Sequence, residues 1–167
     1  MKLYGYWRSS ATYRVRIALA LKGLDYDYHP VNLLKSEQTS ADYLTISPQG
    51  LVPTLIAEDG ARLNQSLAIV EYLEEVHAEP PLLPASPVLR AKSRAIAAAI
   101  ACEAQPFGNL RIMNYLKDEA GFADAQRLAF LNRWAGGALR AIELMARETA
   151  GRFCVGDAPT VADVFLV

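Results

Sequence analysis

Residues 6–23, YWRSSATYRVRIALALKG, decide how the chain is read. A strand-like, aromatic stretch from Lys2 to Trp7 runs into two serines. Thr12 to Lys22 then reads as a helix, with Val15, Ala18 and Leu19 on one face and Gly23 at its end. Arg8 precedes Ser9 and Ser10, and Arg14 and Arg16 follow them. Hydroxyls at the open end of a helix have two readings. They cap the helix, because Ser and Thr accept from unpaired N–H groups of the first turn. Alternatively they belong to an anion site, because the same N–H groups and the helix dipole favour negative charge. A thiolate is such an anion, and a thiol whose ordinary pKa is about 8.5 is lowered there. Cys102 and Cys154 are far from these serines in the chain, so a thiol at Ser9 would come from a ligand.

Outward from this stretch the pattern stays mixed up to about residue 80. Tyr26 to Val31 reads as a second strand, and Asp42 to Ile46 as a short helix closed by the turn Ser47-Pro48-Gln49-Gly50. Pro53 to Ala57 is a third strand, and Glu58-Asp59-Gly60 turns it back into Ala61 to Leu63. Ser66 to His77 is a helix whose buried face is expected at Ile69, Tyr72, Leu73 and Val76. The order is β-α-β-α-β-β-α. Residues 78–87, AEPPLLPASP, hold four prolines and read as a linker, with residues 81–87 the link between the two domains. Residues 1–80 and 88–167 are the two domains this implies.

The second domain is wholly helical in pattern. Val88 to Ala104 is alanine-rich, which suits close helix packing. Ala125 to Thr149 carries Leu128, Leu131, Ala135, Ala138, Ile142 and Met145, a near-heptad stripe expected to be bundle core. Gly136-Gly137 inside it predicts a close contact or a kink. Thr160 starts a further helix, with Asp163 placed to return a bond to the cap. The apolar run Val164 to Val167 ends the chain two turns later, and the sequence is expected to be truncated inside a buried helix.

Bulk composition excludes several classes. At 167 residues, 52% hydrophobic and 21% charged, the chain can build packed cores and is not disordered. A net charge of -1 argues against nucleic acid as partner, which calls for a basic face. No run reaches the roughly 18 apolar residues of a membrane span, and MKLYGYW lacks the apolar core of a secretory signal. Two separated cysteines and two isolated histidines, His29 and His77, give no metal set and no disulfide framework. They fit a cytoplasmic chain with free thiols.

Two more junctions carry ligand-facing chemistry. In Gln49-Gly50-Leu51-Val52-Pro53-Thr54-Leu55 a proline opens a strand. If the bond before it is cis, Val52 presents its backbone N–H and C=O to a peptide ligand. In Asn64-Gln65-Ser66-Leu67, Gln65 and Ser66 open a helix, a second anion-binding end. Together with Ser9 and Ser10, these features suit an extended thiol peptide with a carboxylate at one end.

At these residues the chain resembles the zeta class of glutathione transferases, which includes maleylacetoacetate isomerases and has the bacterial maleylpyruvate isomerases as close relatives. RSSATYRVRIALALKG, LVPTL, NQSLAIVEYLEE, QPFGNLRIMNYL and CVGDAPTVADVFLV carry the resemblance, in the family's order over all 167 residues. It implies an α/β thioredoxin-like N-terminal domain, an all-helical C-terminal domain for substrate and dimer contacts, glutathione as cofactor and a homodimer. By matching position, Ser9 contacts the glutathione sulfur with Ser10 beside it. Val52 pairs with the backbone of the glutathione cysteine, and Gln65 and Ser66 hold the γ-glutamyl end. Gln38 falls near a further glutathione contact. Gln105 and Asn109 match polar positions on the first long helix, facing the active site. Arg8 and Arg111 match positions that face substrate carboxylates. The chain departs from the family at Ala11, where many members carry cysteine or a hydroxyl residue.

The implied activity is glutathione-dependent cis–trans isomerisation of maleylacetoacetate in aromatic amino-acid breakdown: thiolate addition to the cis alkene, rotation, then elimination to the trans product. Ser9, Ser10 and Arg8 are the expected catalytic residues. The rival readings are maleylpyruvate isomerisation, conjugation of small α-haloacids, and a non-catalytic transferase-like module that binds partner proteins.

Overall fold

The computed structural model describes residues 1–166, which form two compact units, Met1–Leu82 and Leu83–Leu166. In the first unit the elements are β1 (Lys2–Gly5), α1 (Ser10–Leu21), β2 (Asp27–Pro30), α2 (Ala41–Leu44), β3 (Thr54–Ile56), β4 (Arg62–Asn64) and α3 (Ser66–Val76). The sheet order is β2-β1-β3-β4. β1 runs parallel to β2 and antiparallel to β3, and β3 and β4 form a hairpin. This is the thioredoxin-like arrangement expected.

The register decides where the loops meet. Gly5 pairs with Pro30, Tyr4 with Thr54, and Thr54 with Asn64. The C-terminal ends of β1, β2 and β4 and the N-terminal end of β3 therefore lie together. The segments leading into α1, out of β2, into β3 and into α3 all gather at that one end of the sheet. Leu3 and Leu55 from the sheet, Val15, Ala18 and Leu19 from α1, and Ile69, Val70 and Leu73 from α3 are fully buried. The expected face of α3 is thus rotated: Val70 is inside, whereas Val76 is 51% exposed near the helix end.

β1 stops at Gly5 rather than Trp7. Val31 N–H pairs with Gly5 C=O at 2.7 Å, and Tyr6 C=O turns to accept Ser9 N–H at 2.9 Å. Gly5 itself is required by packing. A Cβ there would stand 2.3 Å from Thr12 Cγ2, so only glycine lets α1 lie this close to β1.

The proline-rich segment is not slack. Lys22, at the C-terminal end of α1 with no side-chain exposure, donates to Glu74 Oε2 at 2.7 Å, His77 C=O at 2.7 Å and Pro80 C=O at 3.0 Å. Glu74 in turn accepts Leu82 N–H at 3.0 Å. All three ammonium protons are satisfied, which is what makes such a buried charge tolerable.

The second unit contains α4 (Pro87–Ala99), α5 (Leu110–Asp118), α6 (Asp124–Arg147) and α7 (Val161–Phe165). Pro87 stands at the first turn of α4, where its missing N–H costs nothing. The helix expected to run to Ala104 changes at Ile100 into a π turn, Ile100–Ala104, and then a 3₁₀ turn, Gln105–Gly108. Pro106 has no N–H to continue the α ladder, which accounts for the break. The α6 stripe is not a continuous core. Ile142 is buried, but Leu128 is 58% exposed and the rest are half-buried. Heptad spacing on one long helix signals an apolar face, not what covers it. Gly136 and Gly137 leave α6 unbroken, and an added Cβ would meet only Arg140, at 3.6 and 3.8 Å. The start of α7 is as expected: Asp163 accepts from Thr160 N–H at 2.8 Å and from Cys154 N–H at 2.8 Å. Val167, the end of the expected apolar run, lies outside the described residues.

Removing one partner of the Lys22–Glu74 pair strands a buried charge. Lys22→Met is expected to lower stability by about 3 kcal/mol, read as a lower urea midpoint. Adding Glu74→Met should recover part of the loss, and strict additivity of the two changes would show that the pair is not coupled.

Candidate active site

The site is built at the end of the sheet where the loops converge. Ser9 has extended backbone and caps α1, its Oγ accepting Thr12 N–H at 3.2 Å. That uses a lone pair and leaves the hydroxyl proton without an acceptor among the described residues. The N–H groups of Ser10 and Ala11 are likewise unclaimed there, as the geometry of a helix start dictates. The cap reading and the anion-site reading are therefore compatible. One hydroxyl accepts from its own helix and retains a donor for something else. Arg8 is exposed beside it, its guanidinium 5.7 Å from the Trp7 ring centroid. Arg14 points the other way: it is only 2% exposed, and burial lowers its pKa to about 10.

Val52 sits across from this helix start, immediately before β3. The Val52–Pro53 bond is cis. Neither backbone polar group of Val52 has a hydrogen-bond partner among the described residues, whereas its neighbour Leu51 is held twice. Leu51 C=O accepts from Tyr43 Oη at 2.8 Å and Ser47 Oγ at 2.9 Å. Burial raises the Tyr43 phenol pKa, which keeps it a donor. An unpaired N–H and C=O beside an anchored loop form a short template for another main chain.

The third junction is strained. Gln65 lies at φ 70, ψ 118, a region that residues with a Cβ rarely adopt. It precedes α3 without capping it, so the N–H groups of Ser66, Leu67 and Ala68 stay open at the positive end of the helix. Gln65 Nε2 donates to Gln49 Oε1 at 2.6 Å, tying this corner to the loop before Val52. Gln38 also reaches that loop. Its C=O would be 3.1 Å from a Cβ on Gly50, and its side-chain oxygen is buried with no partner among the described residues. An orphaned buried acceptor of this kind calls for an external donor.

The structure thus brings together Arg8, Ser9, Ser10, Gln38, Val52, Gln65 and Ser66 in the first unit. Gln105, Asn109 and Arg111 belong to the second unit and cluster around one turn. Gln105 and Asn109 do not lie on the first long helix as expected. Gln105 begins the 3₁₀ turn, half-buried, and Asn109 caps α5 by accepting Arg111 N–H at 3.1 Å. The chain's own cysteines offer no thiolate here. Cys154 is in the second unit, where burial and its contact with Asp163 push its pKa to about 11, and Cys102 is exposed in the π turn. Sequence reasoning gave the side chains of Tyr43, Ser47 and Gln49 no role, because those roles depend on a fold that returns them to Leu51 and Gln65; the turn signal at residues 47–50 does not say what its side chains reach.

A family model described as "Glutathione S-transferase, N-terminal domain" matches residues 8–76. Maleylacetoacetate isomerase of Pseudomonas aeruginosa is 44% identical, over 100% of this chain and 78% of its own. Two solved structures superpose closely. The holo structure of a maleylpyruvate isomerase, a bacterial glutathione S-transferase of the zeta class, has a TM-score of 0.94 at 40% identity, covering 99% of this chain and 79% of that one. Maleylacetoacetate isomerase of Methylobacterium extorquens AM1, with bound malonate and glutathione, has a TM-score of 0.93 at 42% identity, covering 99% and 78%.

The conformation of Gln65 generates a direct expectation. Gln65→Gly removes the Cβ conflict and should raise stability by about 1 kcal/mol. It also frees the corner and should weaken binding of any anionic ligand at α3. A chemical midpoint that does not rise would show that Gln65 is not strained.

Proposed function

We propose that this chain, which belongs to the zeta class of the glutathione S-transferase family, isomerises maleylacetoacetate to fumarylacetoacetate with glutathione as cofactor. The observation that carries the reading is the convergence, at one end of one sheet, of the Ser9 hydroxyl, the unpaired backbone of Val52 and the open start of α3. The relative from Methylobacterium extorquens supports it, because it holds glutathione together with malonate, a small dicarboxylate.

Glutathione, when bound, supplies a thiolate that adds reversibly to the cis alkene and so frees the carbon–carbon bond to rotate. The chain's part is to bind, orient and stabilise. The Ser9 hydroxyl and the α1 N–H groups favour an anionic sulfur, with Ser10 beside them. Val52 pairs with the peptide backbone. Gln65, Ser66 and the α3 N–H groups hold the γ-glutamyl carboxylate, and Gln38 donates or accepts at the other end. Gln105 and Asn109 supply further polar contacts to the cofactor. Arg8 and Arg111 clamp the substrate carboxylates and the negative charge that develops during the reaction. Ala11 contributes no side-chain group, so Ser9 and Ser10 must suffice.

In this reading residues 1–80 bind glutathione, residues 81–87 join the domains, and residues 88–167 supply substrate and dimer contacts. The enzyme is a cytoplasmic homodimer of aromatic amino-acid breakdown. Exposed apolar side chains on α4 and α6, among them Val88, Trp134 and Leu139, support a second copy as partner. Light scattering at micromolar concentration should report a dimer, and a monomer would remove that claim. Maleylpyruvate is the alternative substrate, favoured by the superposition on a maleylpyruvate isomerase.

The test is conversion of maleylacetoacetate followed by absorbance, with and without glutathione. Conversion that needs glutathione, and that falls about a hundredfold in Ser9→Ala together with loss of the ultraviolet thiolate band, is expected. Conversion of maleylpyruvate alone would move the assignment to the alternative, and glutathione-independent conversion would refute the mechanism.

A further inference from the structure

On its β2 side the same end of the sheet opens into a cleft of about 570 Å³, lined by Trp7, Arg8, Tyr28, Pro30, Val31 and Leu34. A space of this size holds a small molecule. Trp7 and Leu34 are 72% and 70% exposed. Two large apolar side chains bared around one concavity, with Tyr28 and Pro30 behind them, mark a binding surface rather than scattered surface residues.

The wall that carries Leu34 is preorganised. Asn32 Oδ1 accepts Leu34 N–H at 3.0 Å, and Glu37 Oε2 accepts Asn32 N–H at 2.6 Å. Ser36, between them, stands in the left-handed region at φ 57. Glu37 lines the same cleft and keeps its negative charge, but one of its oxygens is held by the main chain, and Arg8 is the lining cation that can take a carboxylate. The cleft therefore sets one arginine beside an apolar wall. It is adjacent in sequence and in register to Ser9.

We propose that this cleft receives the ketone arm of γ-keto-cis-enoate substrates, and that Trp7, Tyr28 and Leu34 let the enzyme accept an aryl or branched-alkyl ketone there. Arg8 holds the carboxylate and the ketone substituent lies against the apolar wall. The proposal rests on the isomerase reading and extends its substrate class. Maleylacetoacetate, itself such a substrate, ends its ketone arm in a carboxylate and so gains less from this wall than an aryl or branched-alkyl ketone does. The net reaction is the same isomerisation, in which no atom, proton or electron is gained or lost.

The test uses two pairs of probes. cis-Acetylacrylate and cis-benzoylacrylate differ only in methyl against phenyl and report turnover with glutathione. Levulinate and benzoylpropionate are their saturated, unreactive counterparts and report binding by calorimetry without glutathione. The expected result is a kcat/KM about tenfold higher for the phenyl substrate, and tighter binding of benzoylpropionate than of levulinate. Leu34→Asn should abolish both preferences, and Leu34→Phe should retain them. Equal use of the two enoates, or a preference untouched by Leu34→Asn, would overturn the cleft assignment alone. Failure of both enoates and of maleylacetoacetate would instead overturn the isomerase reading, and the proposal with it.

Discussion

The first unit depends on one close approach. Gly5 has no Cβ, and Thr12 fills the space that a Cβ would take. This contact seats α1 on β1 and swings the chain through Tyr6, Trp7 and Arg8 in a tight turn. The turn is fastened by Ser9 N–H to Tyr6 C=O at 2.9 Å and by Tyr6 N–H to Thr12 Oγ1 at 3.4 Å. A larger residue at position 5 would push the helix outward and carry its unpaired N–H groups away from Val52. The chemistry of the site is thus set by a packing constraint on its far side.

The site uses helix ends, and it treats them differently. At α1 the cap is present, and Ser9 satisfies one N–H while keeping its proton for a ligand. At α3 the cap is absent, and Gln65 adopts an unfavourable backbone conformation that leaves three N–H groups open. A capped end is stable and offers one oriented hydroxyl beside two open N–H groups, suited to a sulfur. An uncapped end is less stable and offers a cluster of donors, suited to a carboxylate. The Lys22–Glu74 clasp secures the opposite ends of the same two helices, so that stability withheld at the ligand-facing ends is supplied at the other.

Much of this was legible in the chain. The element order, the serine pair, the proline opening β3 and the Gln65-Ser66 junction are local signals, because helix starts, turns and strand alternation are written in neighbouring residues. Other features were not. The expected core stripe on α6 is only partly covered, since a period of apolar residues does not say what packs on it. Gln105 and Asn109 were placed on a long helix that instead breaks through π and 3₁₀ turns. Val70 replaced Val76 in the core because burial depends on how α3 is rotated against the sheet. The cleft beside Arg8 joins residues from two separate loops and has no sequence motif.

By itself the sequence determined which residues could do chemistry and which local structures they start: a hydroxyl at a helix entrance, a proline-opened strand, a second helix entrance, and a family likeness that the comparisons support. The tertiary structure decided that these entrances lie at the same end of one sheet. Strand register is a long-range pairing, and only the pairing of Tyr4 with Thr54 and of Thr54 with Asn64 puts residues 9, 52 and 65 at one end of the sheet. It also decided which polar groups remain unclaimed, because whether an N–H or a carbonyl is free depends on every neighbour that folding brings within reach.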